Sequence, residues 1–177
     1  NGSWVGFYAF PDSDIKLVNC LISEYLAGVY LVNSACEIIN CTIDHCGAGA
    51  ELGGVISRFE NHYMGNTDLS VKNSIISSCY SGIDVSDQIN VRVSHTNFFN
   101  NENHCLGFNC PIDKNGNFAE DPEYTSKNNF AWYLSSISSG QAVDSPCIDA
   151  GEPYFDLENI IQGTTRTDGV FDRCVQD

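Results

Sequence analysis

The sequence predicts an all-β solenoid, in which short parallel strands are stacked coil upon coil. Three observations favour this fold: a repeat of about 21 to 22 residues, apolar residues two positions apart within each repeat, and a composition with 42% hydrophobic but only 18% charged residues. Such a composition suits a sheet-rich protein whose surface is covered by Asn, Ser and Thr. The 177 residues are enough for one domain with its own core.

Glycines mark the start of each repeat. Gly6, Gly28, Gly49 and Gly82 are 22, 21 and 33 residues apart, so we expect a single insertion in the third unit. Within a unit the apolar positions alternate with polar ones, which is the period of a pleated strand rather than of a helix. A coil of this length holds about three short strands, and each strand pairs with its copy in the next coil.

Aligning the repeats places like residues in columns, as expected for the interior of a stack. The first two interior columns are Ile15, Cys36, Leu69, Val91 and Leu17, Ile38, Val71, Val93; the third is Ile22, Ile43, Ile76, Phe98. Asn19, Asn40, Asn73 and His95 form a corner column, where asparagine tolerates a left-handed backbone. Leucine-rich repeats, the alternative solenoid, need an LxxLxL core and a helical or extended return segment, and neither is visible. The pattern therefore predicts a parallel β-helix.

The C-terminal third adds four motifs in order: GNFAEDPEY (116–124), FAWYL (130–134), DSPCIDAG (144–151) and TTRTDGVFD (164–172). With the repeats, they resemble right-handed parallel β-helix proteins, an architecture shared by pectate lyases, chondroitinase B-like enzymes and many bacterial surface proteins. The four motifs look like the C-terminal SP.IDAG and R..DG..D signature of a group of secreted bacterial β-helix proteins. The resemblance implies right-handed parallel β-helix coils over residues 1–110 and an irregular closing segment of the same domain over 111–177. Likeness of fold does not transfer catalysis.

The charge balance restricts the partners of the chain. Eight lysines and arginines stand against 23 acids, a net charge of -15. Such a surface repels nucleic-acid phosphates and anionic lipids, so we expect neither nucleic acid nor membrane surfaces as partners. No apolar stretch approaches the length of a membrane span, so we expect no membrane insertion. A polysaccharide remains a candidate partner, although a polyanionic one would need cations as intermediaries.

Nine cysteines indicate an extracellular or periplasmic protein, and their odd number means that they cannot all pair internally. Cys105 and Cys110 flank a glycine-containing loop and are expected to form a disulfide; Cys147 and Cys174 are candidates for a second one. Cys20 and Cys41 share a column, as do Cys46 and Cys79. Stacked neighbours have parallel Cβ vectors, which suits thiols better than disulfides.

The candidate catalytic residues lie in two places. The segment 53–68, taken as the inserted loop, gathers Arg58, Glu60, His62 and Tyr63, which could line the groove of a polysaccharide lyase. Asp84 and Asp87 in the fourth unit, with Asp12 and Asp14 in the first, could supply the paired carboxylates of a glycoside hydrolase. The alternative is a covering loop in the first case and ordinary turn residues in the second.

A calcium site is the one cofactor that the sequence suggests, so we expect either no cofactor or calcium. Asp113, Asn115, Asn117 and Asp121 place oxygen atoms around Gly116, like the first half of a calcium loop. Asp168 and Asp172 form a second, weaker candidate. The same residues could equally form Asx-turns that fix the closing segment.

These observations favour an extracellular, non-catalytic structural or surface-interaction module of the adhesin, sheath or filament type, with glycans as further contacts. The alternative is a polysaccharide lyase or glycoside hydrolase that works beside the 53–68 loop. Residues 6–25 already form a full coil, and only five residues precede it. The backbone edge of that coil is a template for pairing. We therefore expect further protein or other copies of the chain at the N-terminal edge.

Overall fold

The computed structural model describes residues 4–47, 52–61, 67–126 and 131–152. In chain order, the strands of these residues are β1 (Val5–Ala9), β2 (Asp14–Val18), β3 (Leu21–Ser23), β4 (Ala27–Val32), β5 (Ala35–Ile39), β6 (Thr42–Asp44), β7 (Val55–Arg58), β8 (Asp68–Lys72), β9 (Ile75–Ser77), β10 (Ser81–Val85), β11 (Asn90–Ser94), β12 (Asn97–Phe99), β13 (Asn103–Leu106), β14 (Tyr124–Ser126) and β15 (Ala131–Leu134). A short 3₁₀ helix follows at Ile137–Ser139.

Every third strand joins the same sheet, which makes the chain a parallel solenoid. Sheet A has the order β1-β4-β7-β10-β13, sheet B the order β2-β5-β8-β11, and sheet C the order β3-β6-β9-β12. Strands within these sheets pair in parallel with their copies one coil away, as the repeat predicts. Within the described residues, no helix is both long and apolar enough to cross a membrane.

The three predicted interior columns are confirmed. Ile38 pairs with Leu17 on one side and with Val71 on the other, and Val71 pairs with Val93. Ile38 and Val71 are fully buried, and Val93 is 6% exposed. The column that contains Ile43 is equally regular. Stacking like residues buries a continuous apolar interior, which is the main source of stability in a solenoid.

The predicted corner column also has the expected backbone. Asn19, Asn40, Asn73 and His95 all have φ between 47° and 53°, in the left-handed region. A second corner follows sheet C, where Glu24, His45, Ser78 and Asn100 have the same conformation. Asparagine tolerates this conformation better than most residues, which explains why it occupies three of the four positions at the first corner.

The prediction of one insertion in the third unit is wrong. Gly54, rather than Gly49, continues the glycine column, because Val55 pairs with Val29 and the chain from Val55 to Arg58 is strand β7. A Cβ atom on Gly54 would lie 2.8 Å from the carbonyl oxygen of Gly82, so only glycine fits there. The extra residues therefore fall on both sides of β7. Gly49 lies outside the described residues.

Buried asparagines lock successive coils together. The Asn33 side chain donates to the carbonyl of Glu60 and accepts from the N–H of Glu60. The Asn97 side chain makes the same two hydrogen bonds with the backbone of Glu120. Asn101 accepts from the N–H of Cys79 and donates to the carbonyl of Ile76. Each amide thus satisfies backbone groups that the turns leave unpaired.

Candidate functional site

Arg58 and Asp84 are the two candidate catalytic residues that the structure brings together. Arg58 lies at the end of β7 and Asp84 within β10, on the next coil of sheet A. The guanidinium donates to both carboxylate oxygens, at 2.9 and 2.5 Å, and to the Asp84 carbonyl at 3.1 Å. Hydrogen bonding to Asp84 raises the pKa of Arg58 above its usual value, so this guanidinium stays charged rather than acting as a base.

Among the described residues, none of the other candidates is hydrogen-bonded or ion-paired to Arg58 or Asp84. Glu60 and Asp87 have exposed side chains. Asp12 lies at a turn, with φ of 62°, and Asp14 is the first residue of β2. Asp84 does not lie at the corresponding turn of its own coil, because it is within strand β10. His62 and Tyr63 lie outside the described residues.

The predicted calcium residues take part in a turn that faces the stack. The N–H of Asp113 donates to the Asn117 carbonyl, and the Asn115 carbonyl accepts from the N–H of His95. The buried Asn117 side chain accepts from the N–H of Thr96 and donates to two backbone carbonyls. Asp121 accepts from the N–H of Glu123. Among the described residues, no group of three or more His, Cys, Asp or Glu side chains could hold a metal ion. Calcium binding at these residues stays a prediction. The second predicted calcium pair, Asp168 and Asp172, lies outside the described residues.

The cysteines divide into one close pair and a set of thiols. The structure places Cys105 and Cys110 within bonding distance, with Cα atoms 5.3 Å apart, so a disulfide here is sterically allowed. Among the described residues, the free cysteines are Cys20, Cys36, Cys41, Cys46, Cys79 and Cys147. Burial raises the pKa of Cys36 to about 12 and that of Cys147 to about 11. Cys174, the predicted partner of Cys147, lies outside the described residues.

A buried carboxylate on sheet C escaped the sequence analysis. Asp44, at the end of β6, accepts hydrogen bonds from Ser77 on β9 at 2.6 Å and from the indole N–H of Trp132 on β15 at 2.8 Å. The Oδ2 atom of Asp44, which accepts from Trp132, also contacts Nδ1 of His45. The Asp44 side chain is only 4% exposed, whereas that of His45 is 66% exposed.

This Asp44 cluster fixes the C-terminal hairpin to the solenoid. β14 and β15 pair in antiparallel fashion, and the Tyr124 hydroxyl of β14 lies 3.5 Å from the Ser77 hydroxyl. A buried carboxylate is tolerated when donors satisfy it, and here Ser77 and Trp132 donate to its two oxygens. Burial also raises the pKa of Tyr124, so its hydroxyl stays protonated. The hydrogen bond between Trp132 and Asp44 thus joins two residues that are 88 positions apart in the sequence.

The first coil carries four of the seven exposed large apolar side chains in the described part of the chain. Trp4 is 76% exposed, Phe10 70%, Leu21 52% and Tyr8 43%. Tyr8 stacks on Tyr30 with a ring separation of 5.6 Å and meets Phe10 edge-on at 4.9 Å. β1, β2 and β3 are each the outermost strand of their sheet among the described residues. We call Trp4, Tyr8, Phe10 and Leu21, which lie on more than one sheet of the first coil, the first-coil patch.

Comparison with known proteins agrees with this architecture. A family model described as the right handed beta helix region matches residues 1–139, which is more than half of the chain. Neither the curated proteins nor the solved structures contain a match to this chain. The parallel coils, the interior columns and the matched family lead to one conclusion: the chain belongs to the right-handed β-helix family.

Proposed function

We propose that the chain is an extracellular, non-catalytic surface-interaction module, and that its first coil is the surface that contacts other copies of the chain. The observation that carries this proposal is the first-coil patch, four large apolar side chains on one coil next to three outermost strands. Exposed apolar groups beside open strand edges are typical of protein contact surfaces. The nine cysteines support an extracellular setting.

The end of the core supports the same proposal. Ile15 and Leu17 belong to interior columns, but in the first coil they are only partly buried. Their equivalents one coil away, Cys36 and Ile38, are 2% and 0% exposed. A second copy seated on the first coil would remove this apolar surface from water, at about 25 cal/mol per Å².

The arrangement of Arg58 supports a non-catalytic role. A two-point ion pair with Asp84 is a stable structural contact, and it uses the guanidinium that a lyase mechanism would need as its base. The pair also bridges two coils of sheet A, which is a structural function in itself.

Sedimentation velocity of the 177-residue chain over a concentration series tests this proposal. We expect a monomer–dimer equilibrium that shifts towards dimer with added salt, because salt screens the repulsion between two chains of net charge -15. Replacing Phe10 and Leu21 together by Ser should weaken dimerisation at least about tenfold, as for loss of apolar anchors at an interface.

The matched control replaces Tyr133 and Ile137 by Ser, because these side chains are 61% and 58% exposed but lie in β15 and the 3₁₀ helix, outside the first coil. It should dimerise like the unaltered chain. A monomer at every concentration, or equal effects of the two double variants, would contradict the proposal.

A further inference from the structure

The edge strand of sheet B in the first coil carries two opposite charges. β2 is the outermost strand of this sheet among the described residues. Asp14 and Lys16 lie two positions apart on its outer face with exposed side chains, and Ile15 between them packs against the core. Lys16 is the only Lys or Arg before Arg58 in the sequence. The edge is therefore marked by one acid and one base.

The backbone groups of Asp14 and Lys16 face away from the stack. The Ser13 carbonyl accepts a hydrogen bond from the N–H of Ala35 in the second coil. Backbone groups of successive residues in a strand point to opposite sides, so the N–H and C=O groups of Asp14 and Lys16 point to the outer edge of β2. Such an edge is a template for pairing with another strand.

The opposite edge of sheet B is closed. Beside β11, the Asn117 side chain donates to the Val93 carbonyl at 3.1 Å, and Val93 is only 6% exposed. Phe108 and Ile112 pack against the core. A second copy therefore finds no place for its own β2 beside β11, and the β2 edges of two copies are left to meet each other. A contact of one surface with the same surface of another copy requires a two-fold axis.

We propose that two copies of the chain join through an antiparallel pair of β2 strands, in which Lys16 of each copy lies opposite Asp14 of the other. This inference rests on the proposed function, in which the first coil binds a second copy. Three registers place these residues opposite each other: acid on acid, base on base, or acid on base. Only the third avoids like charges directly opposite, which are destabilising. It also sets Ile15 against Ile15 at the two-fold axis, so the apolar interior continues across the contact.

The ion pairs select the register, whereas the first-coil patch supplies most of the affinity. Lys16 already contacts Glu37 of its own chain at 3.3 Å, and both side chains are about half exposed. An ammonium group has three donors, so Lys16 has capacity for Asp14 of the second copy as well. Exposed ion pairs each contribute little, but like charges across a contact strongly disfavour the wrong arrangement.

Sedimentation equilibrium of charge-reversed variants tests this register. Lys16→Asp places acids opposite each other and Asp14→Lys places bases opposite each other, so each variant alone should dimerise at least about tenfold more weakly than the unaltered chain. An equimolar mixture of the two variants should recover the dimer, because both contacts of a mixed pair again join opposite charges. Asp14 is exposed and the Lys16 side chain is 50% exposed, so the fold should survive both changes.

Arg92→Asp is the matched control, because it makes the same change in net charge in the same outer column of sheet B, on the fourth coil. It should dimerise like the unaltered chain. The register is wrong, and the proposed function stands, if the mixture dimerises no better than either variant alone while the Phe10 and Leu21 double variant still weakens the unaltered dimer. Equal weakening by Arg92→Asp and Lys16→Asp would also overturn the inference, since total charge would explain both. An unaltered chain that stays monomeric would overturn the proposed function and this inference with it.

Discussion

The first and second coils carry the same residue pattern but differ in burial. Ile15 and Leu17 in the first coil are half-buried, whereas Cys36 and Ile38 at the same positions of the second coil are 2% and 0% exposed. The residues are of similar character, so the difference comes from the number of neighbouring coils. Burial in a solenoid is a nearest-neighbour property, and among the described residues the first coil has a neighbouring coil on one side only.

Truncating one interior column in two different coils tests whether burial depends on the number of neighbouring coils. Ile38→Ala should lower the free energy of unfolding by about 2–5 kcal/mol, because it opens a cavity between two coils. Leu17→Ala, in the same column, should cost only about 1–2 kcal/mol in the monomer, since its side chain is already partly in water. Urea denaturation at a concentration too low for dimerisation measures both. Equal costs would show that the first coil is as well packed as the second.

A second test concerns sheet C, which the β14–β15 hairpin covers. Asp44→Asn should destabilise the chain by about 1–3 kcal/mol. The amide nitrogen of the asparagine would face a donor at a position where a carboxylate oxygen now accepts a hydrogen bond. Trp132 should become more exposed, with a red shift of its fluorescence. Asp14→Asn is the control, since Asp14 is exposed on the first coil. An unchanged fluorescence spectrum in the Asp44 variant would mean that this contact does not hold the hairpin.

The raised pKa values of the buried thiols predict a smaller, pH-dependent change in the free energy of unfolding. Burial raises the pKa of Cys36 from 9.0 to about 12 and that of Cys147 to about 11. The unfolded chain releases these protons from about pH 9, before the folded chain does. The stability that the thiols contribute is therefore complete below pH 9 and is lost as the pH rises through the folded values.

Urea midpoints measured from pH 8 to 11 check this expectation. Replacing Cys36 and Cys147 by Ala should lower stability at pH 8 but make it less dependent on pH. At pH 8, a thiol reagent should modify the half-buried Cys20 before either of them. Faster modification of Cys147 would contradict the burial of this residue.

The sequence was sufficient to predict the repeating part of the fold. Alternation placed Leu17, Ile38, Val71 and Val93 in one interior column, and asparagine at the corner indicated the left-handed backbone. Both signals are local and are repeated, so each coil reinforces the assignment of the next. The third unit was misaligned because Gly49 and Gly54 are both glycines, and only the lack of room for a Cβ atom selects Gly54.

The candidate site was harder to predict, because its contacts do not repeat. Arg58 and Asp84 lie on adjacent coils of sheet A, 26 residues apart, and the misaligned glycine placed Arg58 in a loop. Asp44 and Trp132 meet across 88 residues, and nothing in either local sequence indicates the other. Their contact depends on how the closing segment folds back over sheet C. Such contacts are set by tertiary packing rather than by periodicity.

Hydrogen exchange of the full chain at low and high concentration tests most directly whether the first coil is a contact surface. The account predicts that amides of β1 and β2 exchange rapidly in the dilute monomer and become protected as the concentration rises, while those of β5 and β8 are protected throughout. First-coil amides that are as well protected as those of β5 in a monomer that never associates would contradict it.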